Sequence, residues 1–153
     1  MQLTEFCEND YQNIYAFMKP LWQETYGGFL PKAQISFLLD TYFSEEGLER
    51  FRKQGYRYYT VDDSGVLVFV EKEEYVYLDK LYLLPTARGK GYPELVFNWL
   101  MERFEKPVRL NVNQKNERAV RCYLKNGFQI IEKVDIPLEN GLVNCDYVMQ
   151  KNR

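Results

Sequence analysis

The hydrophobic period of this sequence changes once, at Gly55, and that change limits the folds open to it. Before Gly55 the apolar residues recur at three- and four-residue spacing, as in helices with one buried stripe. Ile14, Phe17, Met18, Leu21 and Trp22 predict a helix over 10–24. Pro20 should kink or shorten it, because proline lacks the amide of the helix ladder. Pro31 is placed to open a second helix, with Ile35, Leu38, Leu39 and Tyr42 on one face. Residues 45–54 read as a third, charged helix that stops at Gly55. Gln2 to Cys7 reads as an edge strand, and Tyr26-Gly27-Gly28-Phe29 as a loop.

After Gly55 aromatic and β-branched residues dominate, as strands prefer. Strands are expected at 56–61, 66–71 and 75–84, with Asp62-Asp63-Ser64-Gly65 as a turn and Pro85 as a stop. A helix over 92–105 carries Glu94, Asn98, Glu102 and Glu105 as a wet stripe. Leu95, Val96, Trp99, Leu100 and Phe104 then face a core. A strand at 108–112, a helix at 116–126 and a final hairpin of 129–137 with 143–151 follow, the last with an Asn140-Gly141 turn. Helices, then a meander, then strand–helix–strand–helix–strand describe an α+β or mixed α/β architecture. The 153 residues suit one domain, 1–153, with a core that needs no disulfide or structural metal.

Composition narrows the chemistry. No apolar run reaches the roughly 18 residues of a membrane span, and the N-terminus lacks a signal pattern, so a cytoplasmic protein without membrane contact is expected. A formal net charge of −2 without basic runs argues against nucleic-acid binding. Cys7, Cys122 and Cys145 are scattered and lack metal-ligand spacing; they read as reduced, packing thiols. The chain has no histidine. That removes every Ser-His-Asp, Cys-His and His-zinc site. A general base must be a carboxylate, tyrosine, lysine, thiol, the chain amine or a relayed water.

Two segments carry candidate chemistry. In Pro85-Thr86-Ala87-Arg88-Gly89-Lys90-Gly91-Tyr92-Pro93 a strand gives way to a helix through glycines that let backbone approach a ligand. First-turn amides, helix dipole and the charges of Arg88 and Lys90 together suit an anion. The turn lacks the later glycine of a dinucleotide fold and the Gly-Lys-Ser/Thr ending of a triphosphate loop. In the second segment Asn116 is a natural N-cap. Tyr123 lies seven residues on, two turns along nearly the same face, about 10 Å down the axis. Asn126-Gly127 closes the helix and Phe128 packs back.

Leu78-Asp79-Lys80-Leu81-Tyr82-Leu83-Leu84-Pro85 with Arg88-Gly89-Lys90-Gly91, followed by Asn116-x-x-Ala119-x-x-x-Tyr123-x-x-x-Gly127-Phe128, resembles the signature of the GNAT acetyltransferases over residues 78–128. The resemblance implies a central, mostly antiparallel sheet of about six or seven strands, with a splayed parallel pair and flanking helices. It implies acetyl-CoA as cosubstrate, with no metal, and direct acetyl transfer to a primary amine. Backbone groups near Leu81, Tyr82 and Leu83 would hold the acetyl-pantetheine arm and polarise the thioester. Amides from Arg88 through Gly89, Lys90, Gly91 and Tyr92 to Glu94 would cradle the pyrophosphate. Asn116 would hold the arm by its side-chain amide, and Tyr123 would protonate the departing thiolate. Pro93 departs from the family's Gly or Ala and removes one phosphate donor.

The acceptor needs a base. Strand alternation puts Asp79 on one face with Leu81 and Leu83, and family members often place a carboxylate on this strand. Glu24 and Tyr26 could line the acceptor mouth, for a small-molecule or peptide amine whose identity stays open. Edge strands leave a homodimer open as well. Two other readings remain: a non-catalytic CoA-binding or regulatory module, and an interaction domain without CoA.

Overall fold

The computed structural model describes residues 1–6, 10–28, 30–137, 141 and 143–153; Cys7, Phe29 and Asn140 of the expectations above lie outside them. The described elements are β1 (Leu3–Glu5), α1 (Tyr11–Tyr26), α2 (Lys32–Phe43), α3 (Glu45–Lys53), β2 (Tyr56–Val61), β3 (Gly65–Glu71), β4 (Val76–Leu83), a 3-10 turn (Pro85–Ala87), α4 (Tyr92–Phe104), β5 (Val108–Asn113), α5 (Glu117–Lys125), β6 (Gln129–Pro137) and β7 (Val143–Lys151). The strands form one seven-stranded sheet in the order β1-β2-β3-β4-β5-β7-β6. It is a mixed α/β fold with a mostly antiparallel sheet and one parallel pair, β4 with β5. A parallel pair needs a crossover, and α4 supplies it. The chain groups into two compact units: Met1–Val68 with Lys80–Arg88, and Phe69–Asp79 with Gly89–Arg153.

The first unit is built on α1 to α3. Ile14, Met18, Leu21 and Trp22 of α1 bury with Ile35, Leu39 and Phe43 of α2, Leu48 of α3, Tyr58 of β2, and Val66 and Val68 of β3. Contrary to expectation, α1 runs through Pro20 to Tyr26. The one hydrogen bond that Pro20 cannot make is outweighed by Leu21 and Trp22, which lie beyond it and bury almost completely. Tyr26 therefore ends a helix, where a loop was expected, and packs on Trp22 one turn back with centroids 5.1 Å apart. Pro31 is the residue before α2 and not its first turn; its extended ψ of 147 sets the chain's direction into the helix. Ser44 caps α3 by accepting from Gly47 N–H at 3.1 Å.

In the second unit β5 is the central strand. It pairs with β7 from Val108–Lys151 to Asn113–Asp146, and β7 pairs in turn with β6. An extra residue, Ile131, interrupts the β6 register between Ile130 and Glu132. Val108, Leu110 and Val112 alternate into the core. The α4 face corrects the expectation: Leu95 is 46% exposed and Phe97 is fully buried. The buried stripe is Val96, Phe97 and Leu100. Helical spacing alone allowed either neighbour. The choice is made by Phe128 and Tyr123, whose rings meet Phe97 at 4.9 and 6.1 Å. Cys145 of β7, expected to pack, is exposed, and so is Leu124 of α5. Among the described residues no helix is long and apolar enough to cross a membrane.

Phe97→Ala should therefore cost about 3–5 kcal/mol, as removal of a buried ring does, whereas Leu95→Ala should change stability by less than about 0.5 kcal/mol. Urea unfolding of both variants measures the contrast.

Candidate functional site

In the first unit the C-terminal half of β4 has a defined hydrogen-bonding sense. Leu84 N–H donates to Ser64 C=O at 2.8 Å, so this position points to β3. The carbonyl of Tyr82 points the same way, because a Cβ added to Gly65 would lie 2.5 Å from it. Only glycine permits that approach. Backbone groups of successive strand residues address opposite edges, so those of Leu81 and Leu83 turn to the other edge, away from β3. In the second unit, among the described residues, the parallel ladder of β4 with β5 consists of Val76–Val108 and Tyr77–Arg109.

Side chains on β4 alternate likewise. Lys80 holds its ammonium 4.2 Å from the Tyr42 ring centroid, and Tyr82 lies edge-on to Trp22 at 5.8 Å. Asp79 has the opposite parity from this pair and shares that of Leu81 and Leu83. The Tyr26 and Tyr82 hydroxyls meet at 3.0 Å. Burial pushes the Tyr26 phenol above its ordinary value of 10.0, and the Tyr82 hydroxyl pulls the other way. Trp22, which sequence reading treated as core alone, joins these rings with its buried Nε1 unpartnered. Glu24 reaches Arg88, with Oε1 3.8 Å from Nη1. Both side chains are partly exposed, so this pair is weak and exchangeable.

The turn after β4 opens α4 as the sequence suggested. Gly89 and Gly91 are left-handed, at φ 77 and 79. No atom lies within 4 Å of a Cβ added at either, so the backbone angle and not crowding requires glycine. Gly91 is the N-cap, without a side-chain cap hydrogen bond, and Tyr92 begins the helix. Lys90, between the glycines, is exposed. Pro93 and Glu94 fill the first turn, one lacking an amide and the other adding negative charge.

In the second unit Asn116 caps α5: its Oδ1 accepts from Ala119 N–H at 3.3 Å. That use of the oxygen leaves the Nδ2 hydrogens as its donors toward a ligand. Tyr123 stands two turns on, half-buried, its ring 5.5 Å from Phe128 and 6.1 Å from Phe97. Gly127, at φ 90, ends the segment, and Phe128 N–H returns to the Tyr123 carbonyl at 3.0 Å.

This architecture recurs in solved acetyltransferases. PaiA N-acetyltransferase from Thermoplasma acidophilum, solved in complex with coenzyme A, superposes with a TM-score of 0.73 at 21% identity, over 99% of this chain and 98% of that one. A ribosomal-protein-alanine N-acetyltransferase from Brucella melitensis gives 0.67 at 16% identity over the full length of both. A chimera of the spermidine N-acetyltransferase SpeG from Vibrio cholerae and hSSAT gives 0.67 at 16%, over 99% and 96%. At these identities the likeness shows the fold. The model of the acetyltransferase (GNAT) family matches residues 17–128, and the chain belongs to that family. No curated protein matches the sequence at a significant level.

The raised Tyr26 phenol has a consequence for stability. Below about pH 10 the folded and unfolded chains both hold this proton. Above it the unfolded chain ionises first, so the folded state loses this contribution as pH rises through the folded value. Tyr26→Phe lacks the Tyr82 hydrogen bond but also this loss. Its deficit against wild type should shrink between about pH 9 and 11, read by urea unfolding at each pH.

Proposed function

We propose that this chain moves acetyl from acetyl-CoA directly to a primary amine through a tetrahedral intermediate. The observation that carries the reading is the backbone sense of β4. Leu81 and Leu83 direct amide and carbonyl groups to the edge away from β3, beyond the two-pair ladder with β5. A pantetheine arm carries amides and can complete such an edge as a strand would. Membership in the GNAT family supports the same reading.

The roles follow. Amides from Arg88 to Glu94 hold the pyrophosphate at the uncapped start of α4, with Arg88 and Lys90 adding charge. Glu24 yields Arg88 to the phosphates, since a weak exposed pair gives way to a dianion. Asn116 donates its Nδ2 hydrogens to the arm. A main-chain amide of β4 polarises the thioester carbonyl. The amine nitrogen attacks, the C–S bond breaks, and Tyr123 protonates the thiolate. A phenol near pKa 10 is protonated at neutral pH and starts in the state an acid needs. Asp79, on the donor strand, is the first carboxylate to consider as base. Glu24 and Tyr26 line the acceptor side, and a cytoplasmic setting with an amine acceptor suits this chemistry. Polyamine, amino-sugar antibiotic, peptide N-terminus and lysine side chain all remain within its reach.

Wild type with acetyl-CoA and a panel of amines should release free thiol. Tyr123→Phe should lower turnover by about 10²–10⁴-fold while CoA still binds. Acetyl-CoA at 100 times its Kd should stabilise both proteins by about 2.7 kcal/mol in thermal unfolding. Absence of that shift at saturation would remove the CoA reading. Binding without thiol release would instead favour a non-catalytic CoA module.

The proline in the phosphate turn gives a separate test. Pro93→Ala restores one amide facing the phosphates, a charge-assisted bond of about 1.5–3 kcal/mol. CoA should bind at least about tenfold more tightly, measured by calorimetry.

A further inference from the structure

Asp146 is a buried carboxylate of the second unit, 7% exposed, and nothing above uses it. It lies on β7 directly opposite Asn113 of β5. Asn144 Nδ2 donates to its Oδ1 at 3.3 Å, and Asn113 Nδ2 donates to Asn144 Oδ1 at 2.6 Å. Asn111 lies on the same face of β5, opposite Val148, and its side chain pulls the Asp146 pKa down. The carboxylate is thus held by amide dipoles. Its neighbours across and along the sheet are Val134 of β6 and Val148 of β7. Other charged groups on this face are Asp79 of β4, two residues on from the Tyr77 that pairs with Arg109; Arg109 itself, bonded to Gln150 at 2.9 Å and stacked on Tyr75; and Glu132, exposed on β6. Asp135 and Lys115 act on the adjacent Cys145, whose thiol Asp135 pushes up. Desolvation holds Asp146 above the usual carboxylate range, and the Asn111 hydrogen bond pulls it partway back.

Two observations tie Asp146 to the family motif. The first is register. β5 continues against β7 as far as Asn113, past the end of its parallel ladder with β4 at Arg109. Asp146 therefore lies opposite Asn113, the last residue of β5, at the end of the strand from which the chain turns into α5. The second is a chain of hydrogen bonds. Asn113 C=O accepts Asn116 N–H at 2.9 Å, and Asn113 Oδ1 accepts Lys115 N–H at 2.9 Å. The residue that sets Asn116 at the head of α5 thus also props Asn144 and, through it, Asp146.

We propose that Asp146 is the group that takes the proton from the acceptor ammonium, directly or through one water. The inference rests on the acetyltransferase reading. Asp146 accepts one proton from the ammonium and passes it to solvent, which leaves a neutral nitrogen. The C–N bond forms as the thioester carbonyl opens. When the C–S bond breaks, the thiolate takes a proton from Tyr123, and the second proton leaving nitrogen restores that phenol. One proton is released per turnover, as the overall reaction requires.

The test joins a titration and a rate profile. In the CoA-free protein, the Asp146 carboxyl carbon, followed by NMR, should titrate above an ordinary aspartate and move higher still in Asn111→Ala. With acetyl-CoA and the best amine of the panel, Asp146→Asn should lose at least 100-fold in kcat and lose the acid limb of kcat/KM, with the CoA Kd unchanged. Asn111→Ala, which keeps the carboxyl, should shift that limb to higher pH, and it decides the matter if Asp146→Asn fails to fold. An unshifted limb in Asn111→Ala, or a limb retained in Asp146→Asn but lost in Asp79→Asn, overturns the proposal and leaves the acetyltransferase reading standing. A wild type that transfers acetyl to no amine sinks both.

Discussion

The fold turns on which edge each backbone group of β4 addresses. A strand presents amides and carbonyls along both edges, and each group must find a partner when water is excluded. The late residues of β4 address β3 on one edge through Leu84 and the close approach at Gly65. Among the described residues the parallel ladder of β4 with β5 has the pairs Val76–Val108 and Tyr77–Arg109. Beyond Arg109, β5 stays fully registered against β7. The sheet thus keeps its order while Leu81 and Leu83 present a strand's worth of polarity to something other than β3. The pantetheine arm proposed above would meet that requirement as an extended ligand rich in amides, before any side chain is considered.

Much of this was legible in sequence, because the signals were local. The period change at Gly55, the Gly89 and Gly91 turn and the Asn116 cap each depend on a few neighbouring residues, and each stands where expected. The final hairpin was placed to the residue for the same reason: alternation and turn residues bound it on both sides. The errors came where distant partners decide. Leu95 and Phe97 are both apolar and both fit a helical stripe, and only Phe128 and Tyr123 select Phe97. Pro20 breaks helices in isolation, yet Leu21 and Trp22 beyond it gain more by burial than one hydrogen bond is worth.

The site divides in the same way. Motif residues could be named from spacing, but not what holds them. No pattern pairs Glu24 with Arg88, or joins the phenols of Tyr26 and Tyr82, since those contacts span the chain. Asp146 was invisible for a stronger reason. In Val143-Asn144-Cys145-Asp146-Tyr147 it reads as one polar position in an ordinary alternating strand. Only the register that sets it opposite Asn113, and the bulge that fixes β6 beside it, put a carboxylate among asparagines.

The absence of histidine gives that placement its weight. A base must be unprotonated at working pH yet strong enough to take a proton, so its pKa should lie near that pH. Imidazole meets this condition unaided, whereas an exposed carboxylate near pKa 4 is a poor base. One route open to a chain without histidine is a carboxylate raised by desolvation, away from any cation that would lower it again. Among the described residues Asp146 is the buried charged one. Its partners are amides, which stabilise the anion enough to keep it folded in place without the full drop that an arginine or lysine would impose. Burial without a countercharge is costly for stability, and the proposed proton transfer is what the cost of keeping such a group opposite the carboxyl end of β5 would serve.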